Sequence, residues 1–251
     1  MNALDHRRQI ERAFSAAADY DRQARVQRRA ARRLAERIAA LPLPTAPRIL
    51  EIGCGTGFLT EALIEQGLSG DWLVTDISPE MVARCRARVG DAPDRDFAVL
   101  DGEYGAPRGS FDLVCSSLVI QWFDDWQAAT ARMFGWLNPG GQLIHATLGA
   151  GSFAEWRGAH EAEGLEAGTL DFPTADEFRA AEPASLHVDH YIERHDSALA
   201  FMRALRAIGA HTAPPQHRPL APGALRRVMR RFEEGGASVS YEVVTCHYRS
   251  A

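Results

Sequence analysis

Between residues 6 and 40 apolar side chains recur every three or four positions, at Ile10, Phe14 and Ala17 and again at Ala30, Leu34, Ile38 and Leu41. That stripe predicts an amphipathic helix with one buried face, broken near Tyr20. Pro42, Pro44 and Pro47 end it, because proline removes the helical donor. The pattern then changes to short apolar runs. Arg48 to Ile52 reads as a strand, a glycine-rich turn leads to a helix reaching Gln66, Trp72 to Asp76 reads as a second strand, and Ser78-Pro79 opens another helix. Further strands are predicted at Phe97 to Leu100, Phe111 to Ser116 and Gln142 to Leu148, with a helix from Asp125 to Leu137. Residues 149 to 185 are polar and helical in character and read as an insertion or lid. After them come a strand at His187 to His195, helices over 197–208 and 222–234, and a closing strand at Ser238 to Tyr248. Strands that alternate with helices predict a parallel sheet, and two late strands predict an antiparallel edge.

Composition narrows the class without naming a chemistry. Of 251 residues, 46% are hydrophobic and 24% charged, which excludes disordered and collagen-like chains and gives a sizeable core. The length fits one domain, or one domain carrying an insertion. There is no apolar run of about 18 residues to cross a bilayer, and the first residues lack the apolar centre of a signal peptide. Asp5, Glu11, Asp19 and Asp21 argue against a transit peptide, so a cytoplasmic protein is expected. Cys54, Cys85, Cys115 and Cys246 form no CxxC pair and are expected as free thiols. No HExxH or GxSxG is present, and the nine histidines show no ligand spacing, so neither a metal site nor a serine hydrolase is indicated. Only His145, on a strand leading toward the ligand edge, stands out among them.

Charge is distributed unevenly. All 28 basic residues are arginine, and residues 1–41 hold ten of them against five acids. From Ser197 to Phe232, seven arginines (Arg203, Arg206, Arg218, Arg226, Arg227, Arg230 and Arg231) meet no Asp or Glu, although the whole chain carries −5. Such stretches are solvated helix faces or docking surfaces for an acidic partner. RNA binding would call for interleaved aromatics, and this stretch offers only Phe201 and Phe232.

The segment with most chemical content is Ile49-Leu50-Glu51-Ile52-Gly53-Cys54-Gly55-Thr56-Gly57. Glycines between a strand and a helix let a ligand lie against backbone N–H groups at the helix N-terminus. A dinucleotide fingerprint would want another glycine at position 58, where this chain has Phe58, so nicotinamide binding is the second choice. Asp76 closes the second strand, where an acid can accept both hydroxyls of a ribose, while Ser78-Pro79 already supplies the helix cap. Asp101, after the third strand, either contacts an adenine amine or caps a turn. Glu51, in an apolar strand, either orders the turn or hydrogen-bonds the ligand's amine. Trp122, Phe123 and Trp126 read as core or pocket wall, and an aromatic face at Tyr20 or Trp122 could stabilise a sulfonium.

This set resembles the class I S-adenosylmethionine-dependent methyltransferases: the ILEIGCGTG turn, the acid after the second strand, the Phe111–Ser117 strand and the Asn138-Pro139-Gly140-Gly141 turn. Within that superfamily the chain resembles the malonyl-acyl carrier protein O-methyltransferases of biotin synthesis. The features are Phe14-Ser15-Ala16-Ala17-Ala18-Asp19-Tyr20-Asp21, Ser117 to Trp122, Gly151 to Glu155, Leu205 to Ala210 and Ser240 to Val243. Gly102 to Ser110 lacks the family's leucine-proline step, and Arg206 stands where a lysine is common.

The resemblance implies a single Rossmann-like α/β domain, 1–251, with a mostly parallel seven-stranded sheet, a helical lid at 1–45 and a helical insertion at 149–185. It implies S-adenosylmethionine contacts at Tyr20, Glu51, Gly53, Gly55, Gly57 and Asp76, and at Ile77, Asp101, Gly102, Ser117, Gln121 and Trp122. The acceptor would be the free malonyl carboxylate on an acidic carrier protein, held by Arg203 or Arg206, whose forked guanidinium matches a carboxylate. No general base, metal, nucleic acid or membrane enters this expectation. Other readings are methylation of another small carboxylate or of RNA, a nicotinamide oxidoreductase, and a protein that binds the cofactor without turnover.

Overall fold

Alternation of short apolar runs with amphipathic stretches builds a layered sheet. The computed structural model describes residues 3–15, 20–210, 214 and 217–251. The N-terminal stripe gives three helices among these residues, α1 (Ala3–Ser15), α2 (Tyr20–Gln23) and α3 (Arg25–Ala39), and Ala17 lies outside the described residues. Next come β1 (Arg48–Ile52), α4 (Phe58–Glu65), β2 (Asp71–Asp76), α5 (Pro79–Val89), β3 (Arg95–Val99) and β4 (Phe111–Ser117). A 3₁₀ turn at Ile120–Trp122 and α6 (Trp126–Phe134) precede β5 (Leu137–Leu148). The remainder is α7 (Ala154–Glu161), α8 (Ala175–Ala180), β6 (Ser185–Arg194), α9 (Ala198–Ala207), α10 (Pro222–Glu234) and β7 (Ser238–Arg249).

The strands form one seven-stranded sheet in the order β3-β2-β1-β4-β5-β7-β6. The neighbouring pairs from β3 through to β5 are parallel. β7 runs antiparallel to β5, because Gly140 N–H donates to the Ala251 carbonyl and Ser250 N–H to that of Gly141. The same bonds explain why β5 starts at Leu137 and not at Gln142: the Asn-Pro-Gly-Gly segment, expected as a turn, is held against β7. The polar stretch 149–185 is helical only at α7 and α8.

The chain divides into two compact units. The sheet unit comprises Gln27–Thr147, Asp176–His187 and Val244–Ala251. Its core is the strand residues Ile49, Leu50, Val74, Leu113, Val114 and Leu143, together with Ala30, Leu34 and Ile38 of α3, all buried. The second unit comprises Met1–Val26, Leu148–Ala175 and Val188–Val243. It packs around Phe201, whose ring lies 5.3 Å from Trp156 and 5.4 Å from Phe232. Both the segment expected as a lid and the one expected as an insertion are shared between the units. No helix among the described residues is long and apolar enough to cross a membrane.

Candidate functional site

In an open parallel sheet, ligands gather at the carboxyl ends of the strands where the order reverses. Here that point lies between β1 and β4. Reading along this edge of the sheet unit, Asp101 follows β3, Asp76 ends β2, Gly53 follows β1, and Ser117 with Gln121 ends and follows β4. The sequence-expected residues of this unit are therefore brought into one row. Tyr20, at the start of α2, and Arg203 and Arg206, exposed on α9, belong to the second unit.

The turn itself depends on glycine. Gly53 has φ +70°, and a Cβ there would come within 2.2 Å of Val119. Gly55 has φ +53°, and a Cβ there would meet nothing within 4 Å, so its backbone faces open space that a ligand can approach. Gly57 caps α4 in the left-handed conformation at φ +93°. Arg88 of α5 straps the turn from outside, donating to the Thr56 carbonyl at 2.6 Å and to Glu61 at 3.2 Å while its guanidinium lies over the Phe58 ring.

Asp76 is buried and accepts two backbone hydrogen bonds, from Gly55 N–H and from Ser78 N–H, each at 2.9 Å. It thus fixes the glycine turn to the end of β2 while its other lone pairs remain for a ligand hydroxyl. Burial raises its pKa, opposed by those N–H donors. Ser78 caps α5 by accepting from Met81 N–H at 3.1 Å, as its sequence context predicts. Asp101 caps a turn, accepting from the N–H groups of Glu103 and Tyr104. Gly102 is buried against Ile52, and Ile77 is half-buried beside Asp76 in sequence.

Glu51 is 1% exposed and accepts a hydrogen bond from the Thr60 hydroxyl at 2.7 Å, a contact that ties β1 to the first turns of α4. Burial pushes its carboxyl up to about 7, the Asp76 charge adds to the rise, and the Thr60 bond opposes it. Of the two roles expected for Glu51, this contact supports ordering of the turn. Cys54 lies beside Cys85, and hydrogen bonding to that thiol together with burial holds its pKa well above the usual thiol range.

Beyond β4 the chain turns sharply. Leu118 has φ +56°, a left-handed conformation that is strained for a branched side chain. Gln121 and Trp122 are half-buried in the following 3₁₀ turn, and Gln121 is hydrogen-bonded at both ends of its amide. His145 lies one residue short of this edge, since Ser116, its partner, precedes Ser117. It is fully buried in β5, paired in register with Ser116, and burial lowers its pKa to about 4.

Arg88, Thr60 and Thr147 escape the sequence reading. Each supports the row through a partner at least nine residues away, and a single Thr or Arg on a helix or strand carries no spacing signal. Among the described residues no group of three or more His, Cys, Asp and Glu could hold a metal ion.

A glycine turn after β1, a buried acid closing β2 and a β3-β2-β1-β4-β5-β7-β6 sheet define a Rossmann-like methyltransferase domain, and the family model described as "Methyltransferase domain" matches residues 50–145. The chain is 41% identical over 246 residues to the malonyl-[acyl-carrier protein] O-methyltransferase of Magnetococcus marinus, covering 95% of this chain and 91% of that protein. It is 45% identical over 245 residues to the biotin biosynthesis bifunctional protein BioCD of Bordetella avium, covering 96% of this chain and 52% of that protein, about half its length. The solved YcgJ protein from Bacillus subtilis has a similar fold, with a TM-score of 0.57 at 13% identity over 86% of this chain and 97% of its own. The chain belongs to the malonyl-[acyl-carrier protein] O-methyltransferase family.

Proposed function

We propose that this chain transfers the methyl group of S-adenosylmethionine to the free carboxylate of malonyl-acyl carrier protein, forming the methyl ester at the start of biotin synthesis. The observation that carries the reading is the 41% identity to a malonyl-[acyl-carrier protein] O-methyltransferase over nearly the whole of both chains. The residues present fit the donor: a positive-φ glycine turn open at Gly55, and a buried acid beside it at Asp76. When bound, S-adenosylmethionine supplies an electrophilic methyl on a sulfonium.

Asp76 holds the ribose hydroxyls, and the Gly53–Gly57 turn lies against the nucleoside. Asp101 and Gly102 border the adenine, with Glu51 and Ile77 behind them. Ser117, Gln121 and Trp122 surround the sulfonium arm. Arg203 or Arg206 binds the acceptor carboxylate. A carboxyl group of pKa about 4 is already an anion at neutral pH, so attack on the methyl releases no proton and needs no base. His145, buried in β5 with its pKa lowered to about 4, is neutral near pH 7 and fits that scheme. Catalysis then rests on placement, which can supply about 7 to 11 kcal/mol when the geometry is right.

The test is transfer of labelled methyl to malonyl carrier protein, malonyl-CoA, free dicarboxylic acids and RNA in parallel. Malonyl carrier protein is expected to be methylated fastest. Preference for a free acid or RNA, or binding without turnover, contradicts the reading.

A further inference from the structure

Two residues behind the row, Leu118 and Thr147, act on a third. Gln121 Nε2 donates to the Leu118 carbonyl at 2.8 Å, and the Thr147 hydroxyl donates to Gln121 Oε1 at 3.0 Å. A carbonyl can only accept, so the NH₂ end of the amide must face Leu118 and the oxygen must face Thr147. The side chain is held in one orientation from both ends. An amide nitrogen has two N–H groups, and the second one meets no protein acceptor among the described residues. Thr147 is 1% exposed, at a position where valine would fill the same space without a hydroxyl. The strained φ of Leu118 lies at the same place.

We propose, on the reading that this chain holds S-adenosylmethionine, that Thr147 is a positioning residue that aims the free N–H of Gln121 at the carboxylate of the donor's amino-acid arm. The sheet order supports this choice of ligand group. Asp76 ends β2, the glycine turn follows β1, and Gln121 follows β4 on the far side of β1. Two strand spacings, about 10 Å, separate β2 from β4. A nucleoside held by its ribose at Asp76 and crossing the glycine turn brings its other end to β4. In this ligand that end is an amino acid with a carboxylate.

Calorimetry with two probes separates this role from a merely structural one. S-adenosylhomocysteine carries the amino-acid arm, and 5′-methylthioadenosine keeps the nucleoside without it. Thr147→Val and Gln121→Leu are each expected to weaken S-adenosylhomocysteine by about tenfold while leaving 5′-methylthioadenosine within about twofold. Thr147→Ser, which keeps the hydroxyl, is expected to restore binding. A folded Thr147→Val protein that bound both probes as wild type does, or lost both equally, overturns the positioning role alone. Wild-type protein that bound neither probe overturns the cofactor reading, and this role with it.

Discussion

Asp76 ties the glycine turn to β2 through Gly55 and Ser78, so its removal acts on binding and on the turn together. Charge-assisted hydrogen bonds contribute about 1.5 to 3 kcal/mol, so Asp76→Ala is expected to weaken S-adenosylmethionine by roughly ten- to a hundredfold. Asp76→Asn, which keeps one acceptor oxygen, is expected to lie between that variant and wild type. Calorimetry on protein shown to be folded by its melting transition reads this out, and unchanged affinity removes Asp76 from the site. The row of site residues was legible because a strand, glycines, a helix and an acid at the next strand's end occur in fixed order. Glu51 was visible as a buried charge, but Thr60 as its partner was not, since nothing local marks a hydroxyl nine residues on. Arg88 was hidden for the same reason: its guanidinium reaches the turn from a helix whose sequence only shows a basic residue in its last turn.

At the scale of elements, period and turn chemistry placed the strands and helices of the βαβ run to within a few residues, whereas the start of β5 depended on bonds to the last residues of the chain. No local pattern carries that information. His145 on β5 gives a test of burial in the sheet. The unfolded chain protonates this imidazole near pH 6.5, and the folded chain only near 4. Stability is therefore fully present above pH 6.5 and falls as pH drops toward 4, by about 3 kcal/mol for this group. Urea unfolding of wild type and His145→Leu between pH 4 and 7 is expected to show a steeper loss toward acid in the wild type. Equal slopes in the two proteins would mean that His145 is not buried as described.

For the whole molecule, charge is the property that sequence displays most openly and places least well. The stretch from Ser197 to Phe232 contains no acid, yet Arg227 and Arg231 both pair with Glu163, which follows α7. Arg203, Arg206, Arg218 and Arg226 are exposed and make no ion pair among the described residues, so these four are the arginines left for an acidic partner. Opposed charges mainly speed encounter and are screened over about 10 Å at 0.1 M salt. Arg226→Glu is expected to raise KM for malonyl carrier protein several-fold at low salt, with the difference closing as salt is added and with a small malonyl thioester unaffected. Equal effects on both acceptors would exclude docking through Arg226. The central claim, methyl transfer to the malonyl carboxylate of a carrier protein, is tested most directly by the intact mass of malonyl carrier protein after incubation with this protein and S-adenosylmethionine. The expected product is heavier by one methylene, loses that methylene together with the malonyl group when hydroxylamine cleaves the thioester, and does not form on carrier protein bearing an acetyl group. An unchanged mass, or a gain that stays on the carrier protein after the thioester is cleaved or that also appears on the acetyl form, contradicts it.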